Sequence, residues 1–162
     1  MQFLGRGYDA LAAGALRDAP VGEADFDALL AIRIEAMRDS LERLGRFDPE
    51  RARARLRATF RPDHTWFIER DGARIGFYAL RPEGDGLRLD HLYVVPAAQG
   101  LGVGGQVLGR LLRDADLRGL PVRVGALRGS DSNRFYRRHG FEPVAESEWD
   151  IDYLRPAPGR QA

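Results

Sequence analysis

The chain has 162 residues, 44% of them apolar, which suits one domain with a sizeable core. A formal net charge of +1 gives no global attraction to nucleic acid or to an anionic membrane. The absence of cysteine excludes disulfides, thiolate zinc sites and a cysteine nucleophile. No apolar stretch reaches the length of a membrane span, and Met1 is followed by no basic-then-apolar leader, so a cytoplasmic location is expected. All 25 cationic residues are arginine. The arginine-rich run Pro49 to His64 therefore reads as a solvated helix face in an arginine-biased sequence, not as a nucleic-acid patch.

Residues 1–14 have no clear period and read as a loose leader to a domain spanning 15–156, with 157–162 as a frayed tail. Leu16 to Ala19 fits a short edge strand. Asp25 is placed to cap a helix whose apolar positions are Phe26, Leu29, Leu30, Ile32, Ile34 and Met37. Gly45 ends that helix, Asp48 caps the next and Pro49 occupies its first position. Beyond Pro62 the period changes. Two apolar runs flank Asp71-Gly72, a strong short hairpin signal, and a third strand follows and ends at Val95. Val103, Val107, Leu108, Leu111, Leu112 and Ala115 form one helical stripe. A strand at 120–129, a short helix stopped by Gly140 and a final antiparallel strand pair complete the order. Strand–helix–strand in the middle predicts one parallel pairing inside an otherwise antiparallel sheet. The expected class is α+β: a mixed, mostly antiparallel sheet of about seven strands with about four helices.

The stretch Gln99-Gly100-Leu101-Gly102-Val103-Gly104-Gly105 stands between an apolar strand and that helical stripe. Gly100, Gly102 and Gly105 satisfy G-x-G-x-x-G, but no acidic residue follows about 20 positions on, and too little chain remains for a doubly wound dinucleotide fold. No Lys-Ser or Lys-Thr follows, which excludes a P-loop. Glycines inside a helix cost about 1 kcal/mol each relative to alanine, so packing alone is a weak reason for so many. A cradle for an intact pyrophosphate fits better: free N–H groups and the helix dipole favour an anion, and the absent side chains admit it.

The segment from Leu89 to Leu112 resembles the acetyl-CoA motif of the GNAT superfamily of N-acetyltransferases, a strand ending in Val-x-Pro followed by Gln/Arg-x-x-Gly-x-Gly/Ala. Gln99, Gly102 and Gly104 stand at its named positions. A second segment, Ser130 to Pro143, resembles the superfamily's Asn-x-x-Phe-Tyr-x-x-x-Gly-Phe element through Asn133, Phe135, Tyr136, Gly140 and Phe141. Two motifs in order are far more specific than either alone. The resemblance implies a sheet splayed at the central parallel pair. It also implies acetyl-CoA as cosubstrate, no metal, and transfer of its acetyl group to a primary amine of a small molecule or peptide. The pyrophosphate would lie on Gln99, Gly100, Leu101, Gly102, Val103 and Gly104, and the pantetheine arm along Val94 and Val95, with Asn133 either contacting that arm or capping its helix.

Without cysteine, direct transfer is favoured over an acyl-enzyme. The resemblance places Tyr136 as general acid for the departing thiolate, and a backbone N–H of Val94 or Val95 is the oxyanion donor. Asp90 and His91 are the candidate bases. Strand alternation predicts that they point to opposite faces, so that only one meets the acceptor, with a lean toward Asp90. His64 and His139 read as structural. By resemblance the acceptor pocket draws on Arg33, Glu35, Met37, Arg38, Phe77, Tyr78, Trp149 and Tyr153. Arg33 and Arg38 are each either surface arginines or ligands for a substrate carboxylate or phosphate. The alternative function is a non-catalytic acyl-CoA sensor on the same scaffold. A homodimer through an exposed final strand is possible.

Overall fold

Asp71 and Gly72 both take positive φ, 53° and 79°, the geometry of a tight two-residue hairpin turn that matches strand twist. They join β2 (Thr65–Arg70) to β3 (Ala73–Glu83), and a second turn leads to β4 (Gly86–Val94). The structure is a computed structural model that describes residues 14–159. The expected leader up to residue 13 lies outside the described residues. β1 (Leu16–Pro20) pairs antiparallel with β2 at one edge. α1 (Phe26–Arg43) and α2 (Pro49–Thr59) separate β1 from β2 in sequence. After β4 come α3 (Val103–Leu117), β5 (Val122–Leu127), α4 (Ser132–Arg138), β6 (Glu142–Glu146) and β7 (Asp150–Arg155). The sheet order is β1-β2-β3-β4-β5-β7-β6. Only β4 and β5 run parallel, so the fold is α+β with a mixed, mostly antiparallel seven-stranded sheet.

Each face of the sheet carries its own core. On one face the predicted stripe of α3 is buried from Val103 to Ala115 against Leu87, Leu89, Val122 and Val124. Burying each Val or Leu side chain contributes about 1.5–3 kcal/mol, which outweighs the helical cost of Gly104, Gly105 and Gly109. On the other face Phe26, Leu29, Leu30 and Ile32 of α1 and Ala52 and Leu56 of α2 pack on Phe67 and Phe77. Asp48 caps α2 as expected, accepting from the N–H groups of Glu50 and Arg51 at 3.0 and 3.2 Å. Asp25 does not cap α1. It closes a one-turn 3₁₀ segment, and its Oδ2 accepts from the Gly22 N–H at 2.9 Å, because the chain begins to coil three residues earlier than expected. Ala157, at the start of the tail expected to fray, is buried.

Two irregularities in β4 make the site. The parallel ladder to β5 covers only Leu87, Arg88 and Leu89, opposite Val122, Arg123 and Val124; beyond it the strands part. On the other edge of β4, Ala79 faces His91 while Leu80 faces Leu89, which leaves Asp90 as the extra residue of a β-bulge. Gly76 lies opposite Val94, where a Cβ would stand inside contact distance of the Tyr93 carbonyl oxygen and 3.2 Å from Val94 Cα. Gly76→Ala is therefore expected to lower stability by roughly 1–3 kcal/mol in urea unfolding, the range for a forced backbone shift.

Candidate active site

The last turn before α3 has two residues that need positive φ, Gly100 and Gly102, each at 79°. The first helical bond of α3 runs from the Gln106 N–H to the Gly102 carbonyl, so the N–H groups of Val103, Gly104 and Gly105 have no partner within the helix. They open onto a cleft of about 610 Å³ between the start of α3, the end of β4 and α4. Gly104 forms its floor: a Cβ there would meet the Phe135 ring at 3.5 Å and the Val94 side chain at 4.0 Å. A side chain would fill the cradle, and an anion fits what is left.

Gln99 lines this cleft. Its Nε2 donates to the Val94 carbonyl at 2.8 Å and closes the turn. The Val95 N–H donates to the Ile75 carbonyl at 2.9 Å, which removes Val95 as an oxyanion donor. Strand alternation then turns the Val94 N–H the other way, toward the gap left by β5. The Asn133 amide donates to the carbonyls of Leu127 and Ser130, both at 2.9 Å, and accepts from the Tyr153 hydroxyl at 2.7 Å. Asn133 thereby ties the start of α4 to β5 and β7.

Across the sheet, α1, α2, β4, β5 and β7 enclose a second cavity of about 220 Å³. Asp90 and His91 both line it, contrary to the expectation of opposite faces. The bulge is the reason: one extra residue turns two successive side chains to the same side. A small void of about 50 Å³ where β4 and β5 part touches residues of both spaces, among them Asp90, His91, Leu92 and Tyr136. Tyr136 also lines the glycine cleft. It is buried at 5% exposure, and burial pushes its hydroxyl well above the usual phenol range, so it is protonated throughout the physiological range.

The two base candidates differ. Both carboxylate oxygens of Asp90 are taken by Arg81, at 2.6 Å from Nε and 3.3 Å from Nη2. His91 is a neutral imidazole: burial, reinforced by the Arg33 charge, lowers it from an ordinary 6.5 to about 4. Its Nε2 lies 2.8 Å from the Thr59 hydroxyl, and its Nδ1 is buried without a partner.

Of the residues expected to form the acceptor pocket, Arg33, Met37 and Trp149 line the cavity. Phe77 is core between the sheet and the first two helices, and Tyr78 packs on the opposite face, where its hydroxyl donates to Asp18 at 2.7 Å. Tyr153 is spent on Asn133, and Arg38 is half-exposed and paired with Glu42. The arginine run of α2 divides by helical spacing. Arg53 and Arg57 pair outward with Asp27 and Glu23, whereas Arg51 and Arg55 face the cavity. Arg134 and Arg138 of α4, four apart and hence on one helix face, line the glycine cleft with His139. The same spacing would have marked all four in the sequence.

The depressed His91 sets a pH dependence. The unfolded chain takes up this proton near 6.5 and the folded chain only near 4, so folding loses stability as pH falls through that window. The loss attributable to His91 approaches about 3 kcal/mol at the acid end. Urea midpoints at pH 7 and 4.5 should fall further in the wild type than in His91→Gln.

The comparisons agree with this geometry. A family model described as an acetyltransferase (GNAT) domain matches residues 61–143, just over half of the chain. No curated protein matches. Among solved structures, PaiA N-acetyltransferase from Thermoplasma acidophilum in complex with coenzyme A superposes with a TM-score of 0.71 at 16% identity, over 88% of this chain and 99% of its own. An acetyltransferase from Thermus thermophilus gives 0.68 at 21%, over 89% and 98%. A GNAT-family acetyltransferase from Staphylococcus aureus gives 0.65 at 12%, over 88% and 99%. These likenesses carry the fold, and the match to residues 61–143 carries the family: the chain belongs to the GNAT acetyltransferases.

Proposed function

We propose that this protein transfers an acetyl group from acetyl-CoA directly to a primary amine held in the cavity beneath α1 and α2. The observation that carries this is the passage between β4 and β5. The void there shares Leu92 and Tyr136 with the glycine cleft on one face of the sheet and Asp90 and His91 with the charged cavity on the other. The backbone from Gly100 to Gly105 fits the pyrophosphate of acetyl-CoA, with Arg134 and Arg138 supplying positive charge nearby. When bound, acetyl-CoA supplies the activated acyl group as a thioester.

The chain's own groups then have separable tasks. The Val94 N–H, aimed into the gap, is a fixed donor for the carbonyl oxygen as charge develops there. Tyr136, protonated by virtue of its burial, donates to the leaving sulfur. His91, at the cavity wall, takes the proton from the attacking nitrogen. Asp90, bound by Arg81, holds the bulge rather than accepting a proton. Apolar walls from Leu92 and Tyr93 limit water in the passage.

Two measurements test this reading. Acetyl-CoA at about 100 times its dissociation constant should stabilise the fold by about 2.7 kcal/mol, raising the unfolding midpoint by several degrees, with NADH and ATP giving no comparable shift. Tyr136→Phe should keep that shift and lower kcat by roughly 10²–10⁴ in an assay of released thiol. Full turnover in the variant would remove Tyr136 as the acid. A shift with acetyl-CoA but no turnover with any amine in the wild type would favour a sensor.

A further inference from the structure

The acceptor cavity contains a buried positive charge with no counter-charge among the described residues. Arg33, on α1, is 6% exposed, and its Nε is enclosed without a hydrogen-bond partner. Its guanidinium forms no ion pair with a described residue, and its Cζ lies 5.7 Å from the centroid of the Tyr93 ring. An uncompensated buried cation is among the most unfavourable arrangements a core can hold. The fold keeps it at the wall of a cavity.

The carboxylates around it are already engaged. Asp90 is held by Arg81, Asp150 by Arg55 at 3.1 Å, and Asp152 lies 3.7 Å from Arg88. Asp48 accepts the backbone N–H groups at the start of α2. Toward the mouth, Arg46 and Arg51 stack on Trp149, at 3.9 and 4.6 Å from its ring centroid, and neither has a carboxylate partner among the described residues. Of the five arginines in the lining, Arg55 and Arg88 have carboxylate partners and Arg33, Arg46 and Arg51 have none among the described residues.

We infer that the acceptor is a small amine bearing one carboxylate, seated with that carboxylate against Arg33 and its amino group toward His91. This rests on the acetyl-transfer reading above. Of the three arginines without a carboxylate, only Arg33 is buried, so the cavity wall offers one enclosed guanidinium to one anionic group. The planar guanidinium fork pairs with a carboxylate through two parallel N–H···O bonds. The cavity volume suits an amino acid, not a folded protein surface. Carboxylate binding would also neutralise the charge that helps to hold His91 unprotonated, so the same contact that orients the acceptor makes the imidazole more basic.

The test uses the full chain with three matched sets: the common amino acids, their carboxamides and their decarboxylated amines. Phosphoethanolamine and taurine serve as alternative anions. Turnover is read as thiol released from acetyl-CoA, and binding as the unfolding midpoint in the presence of CoA. Some carboxylate-bearing amine should exceed its carboxamide and its decarboxylated form by 100-fold or more in kcat/KM. That preference should fall below 10-fold in Arg33→Met. Because Met removes an unpaired buried charge at similar length, the ligand-free variant should unfold at the same temperature as wild type or higher, and its acetyl-CoA shift should be unchanged. Equal use of neutral amines, a preference that survives Arg33→Met, preference for the phosphate or sulfonate compound, or no carboxylate amine bound or acetylated would each overturn the inference. Loss of the acetyl-CoA shift in the wild type would instead overturn the acetyl-transfer reading. Binding of amino acids to the cavity would still be visible.

Discussion

The site depends on one failure of pairing. Strands β4 and β5 hold each other for three residues and then part, because the ladder that begins at Leu87 and Val122 is not continued past Leu89 and Val124. In a closed sheet the two faces are separate compartments. Here the interruption leaves Leu92 and Val94 without a strand neighbour on the β5 side, and a small void lies there between the two faces. The cost of unpaired N–H and C=O groups is real, about 1–3 kcal/mol for each one shut away from water. It is offset by two cores that are otherwise well filled: the α3 stripe on one face, and the packing of α1 and α2 over Phe67 and Phe77 on the other.

The bulge at Asp90 is the second half of the same device. A regular strand would have sent Asp90 and His91 to opposite sides, one of them into the apolar packing beneath α3. The extra residue lets β4 put an ion-paired carboxylate and a neutral imidazole side by side at the end of the passage. Arg81 holds the first and Thr59 contacts the second, so both side chains are positioned by neighbours from separate elements, β3 and α2. On the far side Tyr136 is held by α4, whose start is fastened by Asn133 to β5 and β7.

Much of this was legible in the sequence because it is local. The Asp71-Gly72 turn, the Asp48 cap and the α3 stripe each follow from a few neighbouring residues and their backbone preferences. The glycine turn before α3 was legible for the same reason: Gly100 and Gly102 announce positive φ, and a helix follows at once. The bulge was not, because nothing in Leu89-Asp90-His91-Leu92 distinguishes a regular strand from one with an inserted residue; the register is decided by what β3 offers opposite. The hydrogen bonds of Gln99 and Asn133 were not legible for a related reason. An amide near a glycine turn suits either a ligand or a nearby carbonyl, and the carbonyls of Val94, Leu127 and Ser130 come within reach only once the chain has folded. The arginines of α2 could have been divided by their four-residue spacing, but composition made the whole run look like solvent-facing charge.

That arginine cavity has a chemical consequence of its own. A thioester presented at the passage is exposed to every nucleophile within reach, and an ammonium side chain that loses its proton on burial would compete with the substrate for the acyl group. The cations lining the cavity are all guanidinium groups, which keep their charge and have no lone pair to offer at neutral pH. With no lysine in the chain, the cavity's cations are inert toward its own donor. Arginine at position 33 thus does what a lysine there could not: it attracts an anion beside an activated acyl group without itself becoming the product.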